Sequence, residues 1–190
     1  MAKKILSAVI TCCIIVVFAC GLTSCGEKKG DDAVTTVSAE EWKSAFNFSK
    51  YSNYTITIAE VMTGQTEDEY YSLSGTITVE NGMPYYNYVE KFGTEEEVWQ
   101  EQEYVPITSL SDFESDSLWA LATEIEDNDD YAYSLFGYQE KTQSYYATLN
   151  IDGLACATSI YFKDGKISKI TLSVKNEMGT IECSYQFNYN

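Results

Sequence analysis

The chain has 190 residues and a formal net charge of −17 at pH 7, from 12 basic and 29 acidic residues. Every basic residue is lysine, so the sequence contains no arginine and no histidine. Nucleic-acid binding needs clustered positive charge to displace counterions, and we therefore expect no nucleic-acid partner for this acidic chain. Without imidazole, histidine-dependent triads and the usual zinc sites are also excluded, and we expect no metal and no cofactor.

The N-terminal segment carries the most specific pattern in the sequence. Two lysines precede an apolar run that ends in the small-residue sequence Leu22-Thr23-Ser24-Cys25. A basic start, an apolar core and small residues before a cleavage site are typical of a secretory signal peptide. A transmembrane anchor is the alternative, because an apolar run of this length nearly spans a bilayer.

The end of this run resembles the lipobox of bacterial lipoproteins, in which the cysteine thiol receives a diacylglyceryl group and becomes the new N-terminus. The resemblance implies a signal peptide over residues 1–24 and lipid attachment at Cys25. A second candidate, Cys20, fits less well because the bulky Phe18 lies beside the cut. We therefore predict a lipoprotein on the extracytoplasmic face of a bacterial cell membrane, where two or three acyl chains anchor a protein durably.

The mature chain then divides into a tether and one domain. Residues 25–37 are small, polar and charged, which indicates a lipidated cysteine followed by a flexible tether. Residues 38–190 are predicted to form a single α+β domain. Ser38-Ala39-Glu40-Glu41 is a capping box that starts a short helix carrying Trp42. A second helix is predicted near residues 115–125, where apolar residues repeat at helical spacing from a start at Ser111 or Ser115.

The rest of the domain is predicted as a curved antiparallel sheet of about eight or nine strands, with the two helices on its apolar side. Two arrangements fit this pattern. A half-barrel closed by helices resembles the lipoprotein carriers of the LolA and LppX type. Alternatively, residues 38–105 and 111–190 form two helix-plus-four-strand repeats, similar to β-lactamase inhibitory proteins. Both resemblances concern architecture and rest on no motif.

Turn sequences predict the strand registers. Asn81-Gly82 and Asp152-Gly153 favour two-residue hairpins, and a four-residue loop over 176–179 places Leu172 opposite Cys183. At Asp164-Gly165 we predict a three-residue loop that pairs Phe162 with Lys166, because a two-residue loop would scatter the apolar residues over both faces. These registers separate Cys156 from Cys183 by two strands, about 9.5 Å, and so predict two buried free thiols rather than a disulfide.

Candidate ligand-facing residues come from the 16 tyrosines. With the hairpin at Asn81-Gly82, we expect Tyr86 and Tyr88 to point outward beside Thr76 and Thr78, together with Tyr70. Exposed tyrosine among hydroxyl side chains can stack on sugars or cover a partner protein. Cross-strand pairing that serves only the sheet is the alternative.

An acidic stretch over residues 124–130 could hold calcium weakly, but it lacks the glycine and the distal glutamate of an EF-hand loop. A solvated acidic turn is the simpler interpretation.

These observations predict a non-catalytic, membrane-tethered binding module for a protein, a glycan or a lipid. An envelope structural or inhibitory lipoprotein that acts on another surface protein is one alternative. A carboxylate-dependent hydrolase is another, although no pair among the 29 acids stands out. The acidic charge disfavours contact with anionic lipid headgroups, so the lipid anchor is expected to hold the membrane.

Overall fold

The computed structural model describes residues 34–46, 50–66, 69–102, 106–107, 131–151, 154–177 and 179–189. Within them the chain forms one short helix, α1 (Ala39–Ser44), and ten strands. The strands are β1 (Val34–Thr36), β2 (Asn53–Thr63), β3 (Tyr71–Glu80), β4 (Met83–Phe92), β5 (Glu95–Gln102), β6 (Tyr131–Gln139), β7 (Ser144–Ile151), β8 (Leu154–Lys163), β9 (Lys166–Asn176) and β10 (Gly179–Tyr189).

The predicted α+β class with two helices is therefore wrong, because the described chain is almost entirely β. The second predicted helix, near residues 115–125, lies outside the described residues, as does the acidic stretch 124–130. The sheet is also larger than the eight or nine strands that turn signals indicated. Short turn-bounded runs reveal hairpins well, but they miss an isolated three-residue edge strand such as β1.

All ten strands belong to one antiparallel sheet in the order β1-β6-β7-β8-β9-β10-β2-β3-β4-β5. Strands β2–β5 form one meander and β6–β10 form another. The two meanders are joined by β10 and β2, which pair from Thr180 opposite Thr63 to Tyr189 opposite Tyr54. Of the two arrangements that the sequence left open, separate helix-plus-four-strand units do not describe these strands, because meanders of four and five strands share one sheet and one core.

Most of the predicted registers are confirmed. Asn81 and Gly82 both have positive φ, 53° and 81°, and close a two-residue hairpin in which Glu80 lies opposite Met83. Asparagine followed by glycine suits this turn because both residues tolerate the left-handed region. Leu149 lies opposite Cys156, and Leu172 lies opposite Cys183, as predicted.

The predicted register between β8 and β9 is wrong. Asp164 and Gly165 form a two-residue turn, with φ of 53° and 73°, and Lys166 lies opposite Lys163 rather than Phe162. The ladder then shifts by one residue between Tyr161 and Phe162, so that Leu172 lies opposite Thr158 rather than Cys156. The apolar residues still reach one face, because a bulge at Ser168 within β9 corrects the alternation after the turn.

The core lies on one face of the sheet, which we call the inner face. Helix α1 covers the inner face at β6 and β7. Its first turn is capped as predicted, since the backbone N–H of Glu41 donates to Oγ of Ser38 over 3.1 Å. Trp42 is 1% exposed, and its ring centroid lies 4.3 Å from that of Tyr133 and 4.6 Å from that of Phe46. Trp42 therefore anchors the helix to the sheet.

Cys156 and Cys183 also lie on the inner face, and both are buried free thiols, as predicted. Burial raises the pKa of the Cys156 thiol to about 12. The thiol is therefore protonated at neutral pH, and we expect Cys156 to be unreactive in the folded protein.

Candidate functional site

The structure corrects the predicted orientation of the ligand-facing tyrosines. Tyr86 and Tyr88 are only 3% and 8% exposed. Tyr86 lies directly opposite Ile77 and Tyr88 opposite Gly75, and both point to the inner face, because directly opposed residues in an antiparallel pair share a face. The expectation that they point outward is wrong.

The turn itself contained the signal for the right assignment. A two-residue loop at Asn81-Gly82 makes Glu80 and Met83 partners, so Ile77 and Tyr86 are also partners on one face. The outward tyrosine of this hairpin is instead Tyr85, which lies opposite Thr78 and is 42% exposed. The sequence prediction therefore chose the wrong alternate residues along β4.

The third candidate, Tyr70, precedes β3 and is half-buried. Its backbone carbonyl accepts a 2.9 Å hydrogen bond from the N–H of Gly93, which holds the end of β3 against the turn between β4 and β5. The three predicted tyrosines therefore do not form one patch.

The face opposite the core, which we call the outer face, carries a continuous uncharged surface on five neighbouring strands. We call this surface the polar platform. It consists of three adjacent rows of outward side chains, and each row is a set of direct cross-strand partners on successive strands. Its fourteen members are Ser184, Gln186 and Asn188 on β10, Thr55, Thr57 and Ala59 on β2, Ser74, Thr76 and Thr78 on β3, Tyr85, Asn87 and Val89 on β4, and Val98 and Gln100 on β5.

The composition of the polar platform differs from that of the chain as a whole. Charged residues make up 22% of the sequence, so fourteen positions would hold about three charges at that frequency, but the platform has none. Most members carry a hydroxyl or an amide, and each of these groups can both donate and accept hydrogen bonds. Depletion of charge together with an exposed tyrosine is a compositional mark of the centre of a binding surface.

Charged side chains border the polar platform at both ends of its strands. Lys91 and Glu96 form an ion pair of 2.7 Å beyond Val89 and Val98, and Glu80 follows Thr78 at the opposite end. The hydrogen bond and the charge of Glu96 raise the pKa of the Lys91 ammonium. Both side chains are about half exposed, so the ion pair contributes little to the stability of the fold. Within the pair, each charge is balanced by the other.

Two members of the polar platform are already held in position. The side-chain amide of Gln100 donates to Oδ1 of Asn87 across the β4–β5 pair, over 3.4 Å. This contact joins two neighbouring side chains at the β5 edge of the platform. Each amide still has donors and acceptors available for other partners.

An open groove of about 400 Å³ adjoins the polar platform where β9, β10 and β2 meet. Ala59 and Ser184 of the platform line it, and Thr171, Ser173, Val61 and Glu182 lie around them. Short side chains on three neighbouring strands leave this depression in the outer face. Its volume falls within the usual range of small-molecule sites, roughly 300–1,000 Å³.

The inner face contains a buried carboxylate of its own. Glu60 is 1% exposed, and its Oε1 accepts a 2.8 Å hydrogen bond from the hydroxyl of Tyr185 on the neighbouring strand β10. Cys183 and Leu73 are its direct cross-strand neighbours. A carboxylate buried among apolar groups needs such a donor, and we therefore assign the pair a structural role within the core.

Among the residues that the structure describes, no group of three or more histidine, cysteine, aspartate or glutamate side chains has the arrangement of a metal site. In the same residues, no helix has the length and apolar character that crossing a membrane requires.

No protein-family model matches the chain, and no curated protein matches it significantly.

Proposed function

We propose that the chain is a membrane-tethered, extracytoplasmic lipoprotein that acts as a non-catalytic binding module, anchored through Cys25 and binding its ligand on the polar platform. The lipobox-like sequence Leu22-Thr23-Ser24-Cys25 supports the anchor. The uncharged, hydrogen-bonding composition of the polar platform supports the binding role.

The observation that carries this proposal is the placement of the anchored end relative to the polar platform. Val34, the first residue of β1, lies nine residues after Cys25, so the fully extended connection measures no more than about 32 Å. Strand β1 forms one edge of the sheet, whereas the platform occupies β10 and β2–β5 in the other half. A tether at the β1 edge therefore leaves the platform accessible to ligands outside the membrane.

A binding role, and not catalysis by carboxylates, is the function that we propose. Among the described residues, Glu60 is the only charged side chain that is fully buried, and Tyr185 donates to it within the core. The other described carboxylates lie on more exposed positions, where solvation accounts for them.

The anchoring half of the proposal is tested by expressing the full chain in a bacterium and separating the cell extract between detergent and water. The unaltered protein is expected in the detergent phase, and Cys25→Ser in the aqueous phase or retained as an uncleaved precursor. Cys20→Ser is the matched control and should behave as the unaltered protein. An unaltered chain that partitions into water would overturn the anchor, as would a change caused by Cys20→Ser alone.

A further inference from the structure

We infer that the ligand of the polar platform is a neutral glycan, bound across β10 and β2–β5 through hydroxyl and amide side chains. This inference rests on the proposed binding role but not on the lipid anchor. It follows from the chemistry, the charge and the size of the platform.

The chemistry of the polar platform matches that of a sugar. Ten of its fourteen members are serine, threonine, asparagine or glutamine. Sugar hydroxyls are both donors and acceptors, and so are these side chains, so the two surfaces can pair without leaving a charge desolvated. Tyr85 adds an exposed aromatic face beside Asn87 and Thr78, with an apolar ring for stacking and a hydroxyl for hydrogen bonding.

The arrangement of the middle row supports an elongated ligand. Gln186, Thr57, Thr76, Asn87 and Gln100 lie on successive strands as direct cross-strand partners. Neighbouring strands are about 4.8 Å apart, so this row presents a hydrogen-bonding side chain at regular intervals over about 19 Å. A chain of sugar units laid across the strands could contact every member of the row.

The negative charge of the protein restricts the kinds of glycan that can bind. The chain carries a net charge of −17, and none of the fourteen platform members is charged. One exposed lysine, Lys169 on β9, borders the platform opposite Gln186, and a single lysine does not reverse the field of the whole chain. Anionic polysaccharides and anionic lipid headgroups would therefore be repelled by the field of the whole protein. A neutral chain of sugars meets no such barrier.

Size argues against a protein as the main occupant. Three rows of alternate residues span roughly 14 Å along the strands, and with the width of about 19 Å the polar platform covers on the order of 300 Å². A stable protein interface needs about 800 Å² from each partner. The platform is therefore the size of an oligosaccharide site, and the groove beside Ala59 and Ser184 gives a branch or a terminal unit room to enter.

The test is a binding measurement with the full chain in detergent on immobilised neutral oligosaccharides, namely glucose, mannose, galactose and N-acetylglucosamine oligomers. Heparin and polygalacturonate serve as anionic comparisons. We expect binding to at least one neutral oligomer and none to the two polyanions. Because no ion pair is formed, the dissociation constant should change less than about twofold between 50 and 500 mM salt.

Variants assign the binding to the polar platform. Tyr85→Ala and the double variant Asn87→Ala/Gln100→Ala should each weaken binding at least tenfold. Tyr161→Ala, which removes a tyrosine from the outer face on β8 outside the platform, is the matched control and should change affinity less than twofold. Circular dichroism of each variant checks that the sheet is intact, and a misfolded variant is replaced by Tyr85→Ser or Asn87→Ser.

Three results would overturn the inference: no binding to any neutral oligomer, stronger binding to a polyanion, or equal losses in the platform variants and Tyr161→Ala. Since the protein is tested in detergent, none of these results depends on the anchor. Conversely, failure of Cys25 to anchor the chain would leave the glycan measurements unchanged. Retention of a protein from cell extract with no neutral glycan bound would point to a protein partner and would also reject the glycan.

Discussion

On strands β10 and β2–β5, successive residues alternate between the inner and the outer face, and the two faces differ in composition. On β2, Ile56 is fully buried on the inner face, and the next residue, Thr57, is exposed on the outer face. The inner face holds one fully buried acidic residue, Glu60, to which Tyr185 donates. Toward the β5 edge the same face also carries Glu90, Glu97 and Glu101, which are more exposed. The polar platform has no charge, although an exposed position tolerates charge easily. Folding accounts for the apolar residues of the inner face but does not require an uncharged outer face, and the proposed ligand binding would account for it.

The largest expected effect tests this comparison with two neighbouring residues. Ile56→Ala should lower the free energy of unfolding by about 2–5 kcal/mol, because it opens a cavity in the core. Thr57→Ala should change it by less than about 0.5 kcal/mol. Urea denaturation of both variants measures the difference. Equal losses in the two variants would contradict the assignment of the faces.

The second prediction concerns the one inner position of β3 that has no side chain. A Cβ at Gly75 would overlap the backbone carbonyl of Asn87 and the Cα and Cβ atoms of Tyr88 on β4. Backbone atoms cannot move aside as a flexible side chain can, so Gly75→Ala should cost about 3 kcal/mol. Ser74→Ala, on the outer face, is the control and should be nearly neutral. A stability of Gly75→Ala close to that of the unaltered protein would disprove the close approach of β3 and β4.

The third prediction concerns the buried carboxylate. Tyr185→Phe keeps the ring and removes the hydroxyl that donates to Oε1 of Glu60, so the expected loss is about 2 kcal/mol. Tyr85→Phe removes a hydroxyl from the exposed ring on the outer face and should cost much less. Thermal unfolding of the two variants gives the comparison. A double variant Tyr185→Phe/Glu60→Gln that is no worse than Tyr185→Phe alone would show that the two groups are coupled.

The smallest expected effect is the pH dependence that comes from the inner face. Burial raises the pKa of Cys156 from 9.0 to about 12, so the folded protein retains a proton that the unfolded chain loses. The stabilisation is complete below pH 9 and falls as the pH rises toward 12, at a rate of at most ~1.4 kcal/mol per pH unit.

Urea denaturation at pH 8 and pH 10 measures this loss, which we expect to be about 1 kcal/mol. Cys156→Ala should remove the part of the pH dependence that the thiol contributes. An equal loss of stability in that variant would assign the effect to the buried tyrosines, since burial also raises the pKa of Tyr133.

Local patterns predicted a good part of this fold. The cap at Ser38, the hairpin at Asn81-Gly82 and the partners of Leu149 were all correct, because each depends on residues that are close in the sequence. The buried thiols followed from alternation along the strands and are also confirmed.

The errors came from features that local patterns do not contain. The two-residue turn at Asp164-Gly165 was rejected because it would scatter the apolar residues over both faces, but the bulge at Ser168 restores one apolar face after that turn. The requirement for one apolar face therefore gave the wrong loop and the wrong partner for Leu172. The pairing of β10 with β2 joins distant parts of the chain and has no local signature. At the candidate site, Tyr86 was assigned to the wrong one of the two faces that alternate along β4. The polar platform depends on the order of five strands in the sheet, which no local pattern contains.

The pairing of β10 with β2 also determines when the polar platform is completed. The hydrogen bond between the hydroxyls of Thr63 and Thr180 bridges 117 residues of chain. Contacts of such long range form slowly, since a long loop must close before they stabilise anything. Strands β2–β5 precede β10 in the chain, so during synthesis they are available first, and β2 is an open edge until β10 has been made. Because the polar platform spans this junction, it is complete only when the last strand of the sheet has paired.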